Sequence, residues 1–497
     1  RILSFPFGFI TILSLFATFL VVNLVEWVKM TCGNVSFSII LLQLTSPIKG
    51  TDSGIINSII KTAVVPPVLL AVAAVLCYLF IVRGMYALED LPVKKIPRWS
   101  KICIEVVMVV FFLHTVQVQG TEIGMWDYIQ SVRESSDFYE KEYVNPAKVK
   151  MTFPKEKKNL IYIFMESMES SYADKEDGGT MDDNYIPNLT KLARENVQFT
   201  DKKDGKVGGP VCLEATAYTA GGLVAQTSAI NLKVMNSGAV SDSFLPNLTA
   251  LGDILNKQGY NQMFLCGSDG DFAGRDAYFK THKDYQIEDY KAAIKEGDIP
   301  KDYKVYWGHE DKVLYERAKK NLKKLSKEGK PFNLTMLTVD THFPNGYICD
   351  LCENKYDTTY GNAVACADRQ VYDFVQWIKK QDFYEDTTII IAGDHTSMVD
   401  TGSKFWKSLS NDYQRTVYNA IINPQCAYKK KVTTKRKFST MDMFPTTLAA
   451  LGVEIDGNKL GLGTNLFSGE ETLREELGAN YINKELKRND KMYNQFY

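Results

Sequence analysis

The chain has 497 residues, which exceeds the size of an ordinary single domain and favours two or more units. Its 58 basic and 59 acidic residues nearly cancel, leaving a formal net charge of −1. Because nucleic-acid-binding proteins usually carry a strongly basic face, this balance argues against a nucleic-acid partner. The mean hydropathy of −0.18 combines an apolar N-terminal region, residues 1–120, with a remainder of ordinary polar composition.

Three apolar stretches in the N-terminal region predict transmembrane helices, since about 20 apolar residues cover the hydrocarbon core of a bilayer. They lie at about residues 2–28, 62–82 and 102–118. The third stretch contains Glu105 and His114 and is the least apolar of the three. The alternative for the first two stretches is a pair of buried helices in a soluble protein.

Basic residues beside these stretches predict their orientation, because loops rich in Lys and Arg stay on the cytoplasmic side. The segment between the second and third stretches is the richer one, with Arg83, Lys94, Lys95, Arg98 and Lys101. The segment between the first and second stretches is longer and holds Lys29, Lys49 and Lys61. We therefore expect a multi-pass protein of the cytoplasmic (inner) membrane, with everything after Gln119 outside.

The remainder of the chain predicts an extracytoplasmic catalytic domain at residues 155–470, between a helical linker at 121–154 and a C-terminal tail at 471–497. Short apolar runs alternate there with helical patterns, which is typical of an α/β fold with a mostly parallel sheet flanked by helices. The runs that predict strands are residues 159–165, 261–266, 332–339, 387–392 and 417–422.

Polar residues that can bind metal ions directly follow three of these runs. They are Glu166, the Asp340–His342 segment and the Asp394–His395 pair. Because the carboxyl ends of parallel strands meet at one edge of a sheet, these residues are expected to converge there. Carboxylates with one imidazole suit Mn²⁺, Mg²⁺ or Zn²⁺. The alternative for Asp394–His395 is a loop carboxylate that orients a partly exposed histidine.

A candidate nucleophile lies in the segment from Thr216 to Ala225, which combines hydroxyls at Thr216 and Thr219 with small residues. A helix that starts near Thr219 would direct its N-terminal N–H groups at a tetrahedral anion. A metal ion could activate one of these hydroxyls for attack on a phosphate or sulfate ester. The alternative is a threonine that caps a glycine-softened core helix.

Six cysteines fall in the predicted catalytic domain, and an even number is compatible with disulfides in an oxidising compartment. They are Cys212, Cys266, Cys349, Cys352, Cys366 and Cys426. Their pairing does not follow from the sequence. The Cys349-x-x-Cys352 spacing also permits a zinc or redox pair.

Five motifs in order resemble the lipoteichoic-acid synthase and phosphoglycerol transferase branch of the sulfatase/alkaline-phosphatase superfamily. They lie at residues 159–167, 219–225, 338–346, 393–398 and 441–448, followed by Gly461-Leu-Gly463 and Asn465-Leu-Phe467. The second and third motifs look closest to the phosphoglycerol transferases of periplasmic glucans. The C-x-P-x-R signature of formylglycine sulfatases has no counterpart, which disfavours that class.

The resemblance implies one divalent metal, usually Mn²⁺ in this branch, held by Glu166, Thr219, Asp394 and His395. It also implies that Thr219 is the nucleophile, with Thr216 open as a second candidate because the segment before it departs from the family pattern.

The same resemblance implies three substrate-binding residues. His342 would bind the phosphoglycerol headgroup or assist the leaving group, and Arg275 would hold a phosphate oxygen or a glycerol hydroxyl. Trp307 matches a family segment near the site.

The reaction implied by the resemblance transfers phosphoglycerol from phosphatidylglycerol to a glycan or glycerophosphate acceptor. It would pass through a phosphoglyceryl-threonine and release diacylglycerol. Three alternatives stay open: a lipoteichoic-acid synthase that polymerises glycerolphosphate, a phosphoethanolamine transferase, and a catalytically inactive membrane-anchored binding domain.

Overall fold

The computed structural model describes residues 5–32, 37–45, 53–87, 98–203, 205–233, 243–283 and 285–497. The chain divides into two compact units: residues 1–37 with 51–130, and residues 38–50 with 131–497. Lys49, Lys94 and Lys95, which the predicted orientation uses, lie outside the described residues, as does the start of the first apolar stretch. The orientation therefore stays a prediction.

The α-helices of the described residues range from short helices of one or two turns to long apolar helices. In chain order they are α1 Phe5–Cys32, α2 Phe37–Thr45, α3 Ser53–Ile59, α4 Val65–Ala87, α5 Arg98–Glu122, α6 Met125–Arg133, α7 Phe138–Glu142, α8 Pro187–Glu195, α9 Thr219–Ser228, α10 Leu251–Lys257, α11 Arg275–Thr281, α12 Tyr290–Glu296, α13 Asp311–Leu325, α14 Thr359–Ile378, α15 Met443–Ala450, α16 Leu473–Leu477 and α17 Ala479–Lys487.

The first unit contains the helices that are long and apolar enough to cross a membrane. Within the described residues these segments are Phe9–Thr31, Gly54–Phe80 and Ile102–Glu122. The second begins earlier than predicted, because α3 continues through a π-helical turn at Ile60–Val64 into α4. That turn ends beside Pro66, which lacks an N–H donor and therefore interrupts the regular α-helical hydrogen bonds.

The strands lie in the second unit. They are β1 Ser135–Ser136, β2 Met151–Thr152, β3 Asn159–Met165, β4 Asn261–Cys266, β5 Gln286–Glu288, β6 Phe332–Leu337, β7 Thr387–Gly393, β8 Asn419–Ile422, β9 Glu454–Ile455, β10 Lys459–Leu460, β11 Gly463–Thr464 and β12 Asn489–Asp490. Six of them form one sheet in the order β5-β4-β6-β3-β7-β8. Its pairs are parallel except β7–β8, which is antiparallel at the edge. The predicted α/β fold with a mostly parallel sheet is confirmed.

Strand β3 is buried on both faces, which explains why it is a continuous apolar run rather than an alternating one. Ile161 and Ile163 join a core cluster with side chains of α8, α13 and α14. On the opposite face, the Tyr162 hydroxyl donates to Gln226 Oε1 of α9 at 2.9 Å. Helices thus cover both sides of the sheet and leave its carboxyl edge for a site.

Residues 471–497, expected to form a tail, contain α16, α17 and β12. Strand β12 pairs in parallel with β1 at the start of the same unit. The buried Tyr139 donates its backbone N–H to Asp490 Oδ2 at 3.0 Å and its hydroxyl to Asn231 Oδ1 at 2.6 Å. The C-terminal residues therefore help to hold the beginning of the second unit.

Candidate active site and metal centre

Glu166, Asp394 and His395 converge at the carboxyl edge of the sheet, directly after the neighbouring strands β3 and β7. One ligand atom from each lies within 4.8 Å of the others. His395 Nε2 is 3.4 Å from Glu166 Oε1 and 3.5 Å from Asp394 Oδ2. All three side chains are buried, so two carboxylates and one imidazole share a space that is largely closed to water.

The Asp394 carboxylate is oriented by backbone groups on one side only. The backbone N–H groups of Ser167 and His395 both donate to Asp394 Oδ1 at 2.8 Å. Asp394 Oδ2 is buried and has no hydrogen-bond partner among the described residues. Because an unpartnered buried carboxylate oxygen is costly, this atom fits the role of a metal ligand.

The His395 ring is also held in an orientation suited to a metal. Its Nδ1 lies 2.8 Å from the Thr396 carbonyl oxygen. Because a carbonyl oxygen can only accept a hydrogen bond, Nδ1 carries the proton. The Nε2 lone pair is then left to face Glu166 and Asp394. A backbone carbonyl that fixes the tautomer in this way is a usual partner of metal-binding histidines.

Without a cation the charges in this site compete. Burial, together with the Glu166 carboxylate, raises the pKa of Asp394 to about 8. Burial works against the charged form of His395, but Asp394 and Glu166 outweigh it and raise the pKa of the ring to about 9. Both shifts favour bound protons in this cluster. A divalent cation held there would favour the ionised carboxylates and the neutral imidazole instead.

Thr219 brings a hydroxyl to this cluster from the first residue of α9. Its Oγ1 donates to Glu166 Oε2 at 3.2 Å and lies 3.4 Å from His395 Nε2. Thr219 is half-buried, whereas its three neighbours in the cluster are buried. The first-turn N–H groups of a helix have no partners inside the helix, so a phosphate beside Thr219 would meet them.

Gly222 lets α9 approach the backbone at Asp394, in the loop that follows β7. A Cβ on Gly222 would lie 2.2 Å from the Asp394 carbonyl oxygen, so a side chain would force the helix and loop apart. We expect Gly222→Ala to reduce activity about 10²-fold, because a shift near 1 Å in a catalytic group has that effect.

Turnover and metal affinity of the Gly222→Ala variant check this expectation. Gly402→Ala is the matched control, since its Cβ would come no nearer than 3.4 Å to Asp400. Equal activity of the two variants would contradict the proposed contact between α9 and Asp394.

A small cleft opens beside Thr219 and Glu166. Its other lining residues come from the ends of β4 and β6 and from the segment before α13: Ser268, Phe272, Ala273, Arg275, Trp307, Leu337, Thr338, Val339 and His342. Thr219 and all the residues predicted to bind metal or substrate thus lie in the cluster of Glu166, Asp394 and His395 or along this cleft.

Arg275 is 6% exposed and is anchored by the loop that precedes it. Its Nε donates to the Phe272 carbonyl oxygen at 3.0 Å, and its Nη2 donates to the Asp269 carbonyl oxygen at 2.8 Å. The guanidinium lies 5.5 Å from the centre of the Phe272 ring. Since arginine has five N–H donors, further donors remain for an anion in the cleft.

His342 and Trp307 form an aromatic wall of the cleft, with ring centres 4.6 Å apart. His342 Nδ1 lies 2.9 Å from the Phe343 carbonyl oxygen, so Nδ1 carries the proton and Nε2 is left as an acceptor. Burial lowers the pKa of His342. The Trp307 indole N–H is buried and finds no hydrogen-bond partner within the described ranges. This wall therefore offers one acceptor and one donor.

Thr216, the second candidate nucleophile, uses its hydroxyl in a local turn. Its Oγ1 donates to the Leu213 carbonyl oxygen at 2.9 Å and accepts from the Leu213 N–H at 2.9 Å. It is fully buried. The geometry favours Thr219.

Ser167 and Ser268 are among the residues of the site that were not assigned a role from the sequence. Ser167 cradles Asp394 through its backbone N–H, and its hydroxyl donates to Glu166 Oε1 at 2.7 Å. The one feature of the sequence that could have identified Ser167 is its position immediately after Glu166. Ser268 lines the cleft just after β4. Its one signal in the sequence was its position beyond the carboxyl end of a parallel strand, where ligand sites lie.

Comparison with known proteins places the chain in a family. A family model described as Sulfatase matches residues 158–453, which is more than half of the chain. The protein therefore belongs to the sulfatase family, as its motifs predicted.

Among its relatives are proteins named phosphoglycerol transferase I. The chain is 33% identical over 340 residues to those of Salmonella choleraesuis (strain SC-B67) and Shigella flexneri, over 66% of its own length. It spans 41% of the length of these relatives.

Two solved structures have the same fold. The lipoteichoic acid synthase LtaP from Listeria monocytogenes has a TM-score of 0.50 at 18% identity and covers 64% of this chain and 79% of its own. The integral membrane protein lipooligosaccharide phosphoethanolamine transferase A (EptA) from Neisseria meningitidis has a TM-score of 0.52 at 14% identity. That match covers 88% of this chain and 83% of the other.

Proposed function

We propose that this protein transfers phosphoglycerol from phosphatidylglycerol to a glycan or glycerophosphate acceptor, through a phosphoglyceryl-threonine at Thr219. The observation that carries the proposal is the half-buried Thr219 hydroxyl at a helix N-terminus, 3.2 Å from Glu166 Oε2 and 3.4 Å from His395 Nε2. The relatives named phosphoglycerol transferase I support this choice of transferred group. The enzyme would be anchored in the cytoplasmic membrane with its catalytic domain outside.

One divalent cation, Mn²⁺ in preference to Mg²⁺ or Zn²⁺, would be held by Glu166, Thr219, Asp394 and His395. The unpartnered Asp394 Oδ2 and the free Nε2 of His395 support this ligand set. When bound, the cation supplies Lewis-acid chemistry that lowers the pKa of a coordinated hydroxyl and favours developing negative charge.

In the first half-reaction, Thr219 Oγ1 loses its proton and forms a bond to phosphorus, while the bond from phosphorus to the diacylglycerol oxygen breaks. One proton is released from Thr219 and one is taken up by the leaving oxygen, so diacylglycerol departs as an alcohol. The N-terminus of α9 and Arg275 stabilise the equatorial phosphoryl oxygens, where charge builds up. His342 assists by binding the glycerol headgroup or by taking up a proton on its free Nε2 and passing it to the leaving oxygen. Trp307 contributes its indole N–H to the bound donor.

In the second half-reaction, an acceptor hydroxyl attacks the same phosphorus, and the bond from phosphorus to Thr219 Oγ1 breaks. The proton lost by the acceptor balances the one that restores the Thr219 hydroxyl. The group is transferred whole, so phosphate, glycerol and acceptor balance without a redox step. This order makes the reaction ping-pong, with diacylglycerol released before the acceptor reacts.

Donor choice tests the proposal. The full chain in detergent, with Mn²⁺, is incubated separately with labelled phosphatidylglycerol and labelled phosphatidylethanolamine, and diacylglycerol is measured. We expect diacylglycerol from phosphatidylglycerol. Release from phosphatidylethanolamine alone would overturn the donor assignment and favour a phosphoethanolamine transferase. No release from either lipid would overturn the transferase assignment itself.

Arg275→Gln should lower kcat/KM about 10²-fold, because it removes a charged donor from the phosphoryl oxygens. Arg275→Lys keeps the charge without the planar fork, so partial recovery is expected. Steady-state kinetics with phosphatidylglycerol measure both variants.

Arg194→Gln is the control for the Arg275 variants, because Arg194 is half-exposed and pairs with Asp177 away from the cleft lining. Thermal melting separates a weakened loop from a lost substrate contact. Full activity in a stable Arg275→Gln variant would remove Arg275 from the site.

A further inference from the structure

Three cysteines meet beside the loop that follows β6. Cys352 and Cys366 are joined by a disulfide, which links that loop to α14. Cys349 is a buried free thiol, and its Sγ lies 3.5 Å from Cys352 Sγ and 4.0 Å from Cys366 Sγ. Exchange proceeds by attack of a thiolate on one of the two sulfurs, along the line of the S–S bond. The Cys349 sulfur is close to both sulfurs but lies beside that line, so a rotation of the Cys349 side chain would bring it into position.

We propose that Cys349, Cys352 and Cys366 form a thiol–disulfide exchange site that interconverts two disulfide isomers. The Cys349 thiol loses its proton to solvent, and its sulfur forms a bond to Cys352 Sγ. The Cys352–Cys366 bond breaks at the same time, and Cys366 leaves as a thiolate that takes up a proton. One disulfide and one thiol are present before and after, so the step needs no external oxidant or reductant.

The direction of attack follows from the neighbours of each sulfur. Cys352 Sγ is the nearer target of Cys349, and it accepts the Cys349 backbone N–H at 3.2 Å. The leaving sulfur of Cys366 receives a hydrogen bond from Gln370 Nε2 at 3.5 Å. Gln370 is itself buried, so this donor would stabilise a thiolate that forms away from water.

The two isomers differ in what the disulfide connects. The Cys352–Cys366 bond ties the loop to α14, whereas a Cys349–Cys352 bond closes only a short ring within the loop. The same loop contains His342, whose carbonyl oxygen accepts the Gly346 N–H at 3.0 Å. Exchange would therefore release or restore the tether of a segment that starts in the cleft.

Disulfide mapping of the full chain tests the proposal. The protein is incubated for hours, since burial raises the pKa of the Cys349 thiol and leaves little thiolate at neutral pH. It is then quenched in acid, alkylated with N-ethylmaleimide in denaturant and digested without reduction. We expect two species: Cys352–Cys366 with alkylated Cys349, and Cys349–Cys352 with alkylated Cys366.

Three cysteine variants serve as controls for the disulfide mapping. Cys349→Ser should show no alkylated Cys366 and sets the background. Cys366→Ser should form the Cys349–Cys352 disulfide. Cys266→Ser, at a buried free cysteine outside the cluster, should keep both wild-type species.

Alkylated Cys366 in the wild type at or below the Cys349→Ser background would overturn the proposal. Three free thiols with a retained zinc ion would overturn it in favour of a metal site. The readout is disulfide connectivity, so it does not depend on the transferase assay.

Discussion

Thr219→Ala should abolish turnover of phosphatidylglycerol, with a loss of at least about 10³-fold, because it removes the oxygen that we propose as the nucleophile. Three metal ligands would remain, so the variant should still bind Mn²⁺ with reduced affinity. Thr219→Ser keeps a hydroxyl at the same position and should recover part of the activity. Diacylglycerol release and metal binding measured on one preparation separate the loss of the nucleophile from the loss of the fold.

Thr216→Val is the matched control for the Thr219 variants. Its hydroxyl holds the turn at Leu213, so the variant should melt at a lower temperature but keep turnover. If Thr219→Ala turns over donor normally and Thr216→Val does not, the nucleophile assignment is reversed.

Removal of the metal should have an effect of similar size. Dialysis against a chelator should abolish turnover, and Mn²⁺ should restore it, because Thr219 loses the Lewis acid proposed to activate it and the Asp394 and Glu166 carboxylates repel each other. Asp394→Asn should lower metal affinity by more than the roughly 10–100-fold typical of outer-shell partners of a metal site.

Asp400→Asn is the control for the Asp394 variant, because it lies in the same loop and accepts the Gly402 N–H at 3.0 Å instead of facing the cluster. It should bind metal and turn over donor normally. Chelator-resistant turnover, or equal metal affinity in the two variants, would contradict the proposed centre.

Apolar runs followed by polar residues were sufficient to predict the central strands and the edge of the sheet at which the site lies. Strands β3 and β7 are buried on both faces, so each is an apolar run that stops where a polar residue begins. Parallel pairing then brings Glu166 and Asp394 to the same edge. The start of α9 at Thr219 also agrees with the prediction, because small residues follow it and allow close packing.

Contacts between distant parts of the chain could not be predicted from the residue pattern of short segments. The even number of cysteines was compatible with disulfides, but the pairing of Cys352 with Cys366 depends on how α14 packs against the loop. The same reason applies to β12, which pairs with β1 at the opposite end of the second unit. The choice between Thr216 and Thr219 required the hydrogen bonds of each hydroxyl.

Anomalous diffraction at the manganese absorption edge, from crystals grown with Mn²⁺, tests the metal centre most directly. We expect one strong peak about 2.0–2.3 Å from Glu166, Thr219, Asp394 and His395, the range expected of oxygen and imidazole ligands. Density that lacks an ion between these four side chains, or places manganese only elsewhere on the protein, would contradict it.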